Sequence, residues 1–288
     1  MTRRRLDAEL VRRGLVSSRE QGRAAIEGGR VSISGVTATK AATQVDDAAA
    51  IELVAEPGSD FVSRGAHKLI GALDAFGLDV RDANALDAGA STGGFTQVLL
   101  QRGARHVIAV DVGYGQLAWS LRSDDRVTVL ERTNVRHLDA SRDELPFPPD
   151  LVVADLSFIS LTAVLPALVT VAAPTANLVL MVKPQFEVGK ERVGSGVVTS
   201  PDLRREAVAR VVTAAGAEKL AIFGVAASPL PGPKGNVESF LWRGKVGGDA
   251  AEPSEHDGAM EPEYRVSAGL SAEEIESAIA RAVQEGPQ

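Results

Sequence analysis

The segment that most limits what this chain can fold into is Leu86-Asp87-Ala88-Gly89-Ala90-Ser91-Thr92-Gly93-Gly94-Phe95. It joins a strand pattern at residues 85–87 to a helix pattern at residues 94–101. Small residues at such a junction let the backbone approach a ligand at the carboxyl end of the first strand, where open α/β sheets bind cofactors. On that reading a side chain at Gly93 would fill the ligand's space. Asp111 closes the next strand, 24 residues after Asp87, where an acid can hydrogen-bond both ribose hydroxyls. The pattern is Asp followed by Gly-x-x-x-Gly-Gly, not the Gly-x-Gly-x-x-Gly of a pyrophosphate binder, and no lysine follows the glycines as in a phosphate loop. Nothing calls for a diphosphate, so S-adenosylmethionine fits better than NAD or ATP. The expected cofactor contacts are Asp87, Gly89, Ala90, Ser91, Thr92, Gly93, Gly94, Phe95, Asp111, Val112 and Asn134.

From about residue 61 strand and helix patterns alternate, as a parallel α/β sheet requires. Helices are predicted over residues 67–76, 94–101 and 161–173, and strands over 85–87, 107–111, 127–130, 151–155, 178–182, 220–225 and 237–242. Before this lies a compact α/β module. Leu6, Leu10 and Val11 give a short helix ending at Gly14, and Ser17 with Glu20 has capping-box spacing for a second helix stopped by Gly28-Gly29. Short strands follow at residues 31–33 and 50–53, with a turn at Gly35. The division expected is residues 1–60 for this module and its linker, 61–246 for the sheet domain, 247–270 for a disordered acidic insert, and 271–288 for a final helix. Ser271 and Glu274 cap that helix, and Ile275, Ile279 and Val283 give it an apolar face.

Composition excludes several chemistries. The 288 residues contain no cysteine, so disulfides, Cys-ligated metals and thiolate nucleophiles are ruled out. No metal site is expected. The net charge of −7 conceals an asymmetry: residues 1–40 carry eight arginines and one lysine against four acids, a net of +5. A basic head on an acidic chain suits a phosphate-backbone partner. Arg3, Arg4, Arg5, Arg12, Arg13, Arg19, Arg23, Arg30, Lys40 and Arg64 are the expected RNA contacts. No apolar stretch follows the basic start, so a signal peptide is not indicated. Residues 161–182 lack charge over 22 positions. Pro166, Pro174 and Asn177 divide them into a buried helix and a buried strand rather than a membrane span.

Four ionisable residues fall at the expected sheet edge or beside it. Asp155 ends the strand Val152-Val153-Ala154, without the Asn/Asp-Pro-Pro-aromatic pattern common where exocyclic amines are methylated. Lys183 ends the next apolar strand, where an ammonium is costly without a partner. Lys68 lies one turn into a flanking helix, and Glu238 on a terminal strand. The phrases SRGAHKL, DAGASTGGF, DVGYGQLAW, ADLSFISL, VKPQFEVG and GNVESFLW resemble the TlyA, or hemolysin A, family. The start, RRLDAELVRRGL then SREQGRAAIEGGRVSISG, resembles that family's S4 RNA-binding module. The resemblance implies a Rossmann-like methyltransferase, a doubly wound α/β sheet with a small N-terminal α/β S4 domain. It further implies 2′-O-methylation of cytidine in 16S and 23S ribosomal RNA by a Lys-Asp-Lys-Glu tetrad, which falls on Lys68, Asp155, Lys183 and Glu238. The longer, dual-substrate subtype is the nearer likeness. Expected partners are rRNA within the 30S and 50S subunits, met by a cytoplasmic monomer with no stable membrane partner.

The tetrad suits that chemistry. A ribose 2′-hydroxyl is a poor nucleophile, so a base must withdraw its proton as the methyl group arrives. Lysine, with a reference pKa of roughly 10.4, needs a neighbouring ammonium or desolvation to act as one, while carboxylates oppose that shift. Lys183 is the expected base or hydroxyl-orienting group and Lys68 the group that lowers its pKa. Asp155 would fix Lys183, and Glu238 would orient the ribose or Lys68. Pure positioning by the same four groups is the alternative. A non-catalytic RNA-binding protein and a pore-former are the competing classes.

Overall fold

Two buried carboxylates organise the basic N-terminal module, which consists of β1 (Arg4–Arg5), α1 (Leu6–Arg12), α2 (Arg19–Glu27), β2 (Val31–Ile33), β3 (Val36–Thr37), β4 (Gln44–Val45) and β5 (Ile51–Leu53). The structure, a computed structural model, describes residues 3–13, 15–16, 18–46, 49–53, 61–141, 143, 145–194, 196–232, 234–245 and 269–287. Asp7 and Glu9, both 0% exposed on α1, sit above a core of Leu6, Leu10, Ala25, Ile26, Val31, Ala38 and Val45. Asp7 accepts from Arg5 Nε (3.0 Å) and Arg19 Nη2 (2.9 Å), and Glu9 from Arg12 Nε and Arg13 Nε (both 2.8 Å). The Arg5 guanidinium, with Arg19, holds Asp7 well below the usual carboxylate range, and Arg12 and Arg13 hold Glu9 at about 2. Paired in this way, both acids remain charged beneath the arginines that cover them. The cap of α2 is Ser18, which accepts from Gln21 N; Ser17 and Gly14 lie outside the described residues. Ser34 (φ 50) and Gly35 (φ 81) form the two-residue turn between β2 and β3, the left-handed pair that matches hairpin twist.

The second domain contains α3 (Gly65–Phe76), β6 (Asn84–Ala88), α4 (Gly94–Gln101), β7 (His106–Val110), α5 (Trp119–Arg122), β8 (Val127–Leu130), a 3-10 turn (Val135–His137) and β9 (Leu151–Ala154). It continues with α6 (Leu161–Val171), β10 (Asn177–Val182), α7 (Pro184–Glu187), α8 (Lys190–Val193), α9 (Pro201–Ala217), β11 (Leu220–Ala227), β12 (Ser239–Lys245) and α10 (Ala272–Glu285). The seven strands lie in the order β11-β12-β10-β9-β6-β7-β8. The pairs from β8 through β10 are parallel, and β12 enters antiparallel between β10 and β11. The chain starts at β6, winds outward to β8 and returns to β9. The crevice between the carboxyl ends of β6 and β9 is therefore the switch point at which such sheets bind ligands.

Helices cover both faces. Leu69, Leu73, Phe95, Val98 and Leu99 of α3 and α4 pack one face, while Leu165, Leu168, Val208, Val211, Ile279 and Val283 of α6, α9 and α10 pack the other. The uncharged stretch is a helix with one buried face followed by a buried strand; Pro166 lies within the helix and does not divide it, and among the described residues no helix is long and apolar enough to cross a membrane. The final helix carries the expected capping box between Ser271 and Glu274. Two differences stand out. The 17-residue α9 is absent from the predicted elements, although Ser200-Pro201 is a start signal of cap plus proline at the first turn. The last strand begins at Ser239, so Glu238 precedes it rather than lying within it. The acidic stretch 246–268 and the linker 54–60 lie outside the described residues.

Candidate active site

A cavity of about 300 Å³ opens at the switch point. Its walls come from the loop after β6, the loop after β9, the end of β10, the start of α3, the Leu230-Pro231 turn and Gln21 of α2. Gly89 N and Ala90 N both donate to Val110 O (2.8 and 3.1 Å), which folds the glycine loop back onto β7. Asp111 then ties the loop down, with Oδ2 accepting from Ser91 N (2.8 Å) and Oδ1 from Gly113 N (2.7 Å). Each carboxylate oxygen keeps a further lone pair for a hydroxyl. Of the expected cofactor residues, Gly89, Ala90, Ser91, Thr92, Gly94 and Phe95 line the cavity.

The glycines also make room for neighbouring parts of the chain. A Cβ on Gly93 (φ 99) would strike the Leu117 and Leu121 side chains. One on Gly89 (φ 88) would lie 2.7 Å from the Asp155 carbonyl oxygen, and one on Gly94 would strike Ser63 Oγ. Their smallness lets neighbouring chain segments close around the cavity. Asp87, Gly93, Asp111, Val112 (72% exposed) and Asn134, which caps the 3-10 turn, do not line it; Asp111 reaches the cavity wall through its bond to Ser91 N.

Asp87 is fully buried and accepts from Thr96 Oγ1 (2.7 Å), while its Oδ1 has no hydrogen-bond partner among the described residues. Burial pushes its carboxyl up to about 7, and the charges of Asp155 and Asp111 add to the shift. Three carboxyl groups thus lie near one sheet edge, with Asp155 paired to Lys183. The lone pairs left on Asp111 fit the ribose of S-adenosylmethionine.

The tetrad forms two ion pairs. Lys68 Nζ lies 2.6 Å from Glu238 Oε2, and Lys183 Nζ lies 2.5 Å from Asp155 Oδ1. Lys68, Asp155 and Lys183 line the cavity, and Glu238 sits behind them at 0% exposure. Glu238 accepts from Lys68 Nζ, the contact that the second of its two expected roles would need. Lys183 Nζ also donates to Ser157 Oγ (3.2 Å). Residues missed in the sequence hold Glu238 in place. Asn236, 2% exposed, accepts from Val198 N (2.9 Å) and donates to Gly196 O (2.9 Å). Gly232 leaves room for the Glu238 carboxylate. Their signal, Pro231-Gly232-Pro233 and Gly235-Asn236, looks like an ordinary turn.

The basic residues divide. Arg5 and Arg19 are ion-paired to Asp7, with Arg23 at 3.6 Å, and Arg4 (4.0 Å), Arg12 and Arg13 gather at Glu9. Arg13 also donates to Ala49 O and Asp46 O (2.8 and 3.2 Å), so its guanidinium is part of the fold. Arg3, Lys40 and Arg64 are exposed, Arg30 is half-buried, and Arg64 borders the catalytic cavity.

The sheet order, the tethered glycine loop and the paired lysines define a Rossmann-like methyltransferase fold. Residues 61–245 match the FtsJ-like methyltransferase family and residues 4–51 the S4 domain. The chain belongs to the FtsJ-like methyltransferase family, among the TlyA proteins. It is 53% identical over 286 residues to the 16S/23S rRNA (cytidine-2′-O)-methyltransferase TlyA of Mycobacterium tuberculosis, covering 99% of each chain. It is 35% identical to Hemolysin A of Brachyspira hyodysenteriae, covering 81% of this chain and 97% of that one. A solved structure described as a hemolysin from Streptococcus thermophilus superposes with a TM-score of 0.72 at 34% identity, covering 99% and 97% of the two chains.

Proposed function

We propose that this protein transfers a methyl group from S-adenosylmethionine to the ribose 2′-oxygen of cytidines in rRNA of both the 30S and the 50S subunits, acting as a cytoplasmic monomer. The observation that carries the reading is the pair of lysine–carboxylate contacts, Lys183–Asp155 and Lys68–Glu238, at the switch point of the sheet. The relative that is 53% identical over nearly its whole length is described as a 16S/23S rRNA (cytidine-2′-O)-methyltransferase. When bound, S-adenosylmethionine supplies an electrophilic methyl group on a sulfonium. Asp111 would hold its ribose, and the residues from Gly89 to Thr92 its edge. Lys183 withdraws the proton of the 2′-hydroxyl, Asp155 fixes Lys183, and Lys68, held by Glu238, keeps a second positive charge nearby. The exposed cations Arg3, Lys40 and Arg64, with the carboxylate-anchored arginines around them, meet the RNA backbone.

The test is tritium transfer from labelled S-adenosylmethionine to purified small subunits, large subunits and naked rRNA, followed by nucleoside mapping. Label in 2′-O-methylcytidine from both subunits is expected. Tight RNA binding with no transfer to any of them would instead indicate an RNA-binding protein on an inactive methyltransferase fold.

A further inference from the structure

The catalytic cavity has a wall that the methyltransferase domain does not supply alone. Gly89 to Thr92 line its cofactor end, and Lys68, Asp155 and Lys183 line the end proposed to receive a ribose hydroxyl. Gln21, on α2 of the RNA-binding module, lines the same cavity. Its place is held from two sides. Ser18 caps α2 by accepting from Gln21 N (3.2 Å). Gly22 lets that helix rest on α1, where a Cβ would lie 3.3 Å from Asp7 O, and Arg19 ties the same turn to Asp7 (2.9 Å). On the other side the link is fixed to the methyltransferase domain: Val62 N donates to Gln97 Oε1 (2.7 Å), and Phe61 packs edge-on against His67.

A neutral amide on this wall differs in kind from the arginines near it. Phosphate contacts from arginines supply affinity and a salt dependence, and they set the register of an RNA. A carboxamide has an acceptor oxygen, two donor hydrogens and no charge, so it adds nothing to counterion release. It can instead hydrogen-bond one nucleotide beside the cavity. Methyl transfer is sensitive to such a contact, because the 2′-oxygen must be held in line with the methyl carbon at near-attack distance. Arg19 and Arg23, one turn apart on α2, keep about half of their side-chain surface exposed. An RNA held by them lies along the helix that carries Gln21.

We propose that the Gln21 amide hydrogen-bonds the nucleotide undergoing methylation and fixes its ribose within the cavity, so that the active site is shared between the RNA-binding module and the methyltransferase domain. This rests on the reading that the chain methylates a ribose 2′-hydroxyl in rRNA. The module then contributes to the chemical step as well as to affinity. Loss of the amide is felt in the rate at saturating RNA, where only the bound complex is read, and not in the dissociation constant that the arginines set.

The test uses the full chain with purified ribosomal subunits and compares Gln21→Met, Gln21→Ala and Lys183→Ala. Methionine keeps the length and helix propensity of glutamine and removes the amide. Both Gln21 variants are expected to lower the single-turnover rate at saturating RNA by about 10- to 100-fold, the scale of a misaligned reacting group. Melting temperature, S-adenosylmethionine affinity, RNA affinity and its salt slope should stay near wild type. A second readout exploits the absence of cysteine from the chain. A benzophenone maleimide attached to Gln21→Cys should cross-link to the methylated nucleotide or its immediate neighbour. A wild-type rate in Gln21→Met, beside an inactive Lys183→Ala, would overturn the assignment of Gln21 alone, and so would cross-links confined to other parts of the rRNA. Weakened S-adenosylmethionine binding in Gln21→Met would put the amide on the cofactor and overturn it as well. Absence of methyl transfer by the wild-type chain would remove the underlying reading and the role of Gln21 with it.

Discussion

Gly232 has no side chain where the Glu238 carboxylate needs room: a Cβ built there would lie 2.5 Å from Glu238 Oε1. The glycine is held in turn by its own backbone, with N donating to Asn236 O (2.8 Å). Across the same space Gly71 of α3 admits Pro229, so the helix carrying Lys68 and the turn before Glu238 close on each other. Gly232→Ala should therefore push Glu238 away from Lys68. The expected result is a fall in kcat of about 10- to 100-fold, the cost of a misplacement near 1 Å, with S-adenosylmethionine affinity retained. An unchanged kcat would mean that the Lys68–Glu238 pair has no role in turnover.

Lys183→Ala should leave folding, cofactor affinity and RNA affinity near wild type while single-turnover transfer drops by roughly 10²–10⁴-fold, the usual contribution of a proton acceptor. Lys183→Arg should fail nearly as badly, because a guanidinium does not release its proton at accessible pH. Arginine retaining most of the rate would make Lys183 a group that only orients the ribose.

Asp87 gives the fold a pH dependence with a definite sign. Its carboxyl is raised to about 7, above the roughly 3.9 of an exposed aspartate. The stability associated with its proton is fully present below the unfolded value and is lost as pH rises through 7. Asp87→Asn fixes the neutral shape, so its melting temperature relative to wild type should increase between pH 5 and pH 8. Differential scanning calorimetry without cofactor reads this directly, and a difference that stays constant across pH would count against it.

The basic head separates into two functions that mutagenesis can tell apart. Removing Arg3, Lys40 and Arg64 together should weaken RNA binding at unchanged melting temperature. It should also flatten the salt dependence, by roughly 0.7–0.9 in slope for each phosphate no longer neutralised. Arg13→Ala instead leaves Glu9 and two backbone carbonyls short of a donor. It should destabilise the module by about 1–3 kcal/mol and leave the salt slope as it was. Equal effects of both variants on the slope would return Arg13 to the RNA-facing set.

Much of this site was legible because its chemistry lies at strand ends. Asp87, Asp155 and Lys183 each follow an apolar run, and the parallel order of β6, β9 and β10 brings those ends to one edge. The contact between Lys68 and Glu238 was not legible as a distance, since 170 residues separate them and β12 must first insert between two strands. Nor could the glycine loop reveal what its missing side chains make room for. Leu121, Asp155 and Ser63 are the neighbours, and only the folded chain shows them. The Glu9 pairs with Arg12 and Arg13 follow helical spacing, whereas the reach of Arg19 back to Asp7 depends on how α2 packs on α1. Helix α9 is hard to see in the sequence because its apolar positions are interrupted by Arg204, Arg205 and Arg210, of which Arg204 turns inward to Val198 O (2.9 Å).

The place of β12 in the sheet also sets an order in time. Domains fold as the chain emerges, N-terminal parts first, and β6 to β10 can associate before residue 238 has been made. Until then Lys68 lacks its carboxylate and β10 has an open edge where β12 will pair. Lys68 and Glu238 therefore meet only once the last strand has joined the sheet.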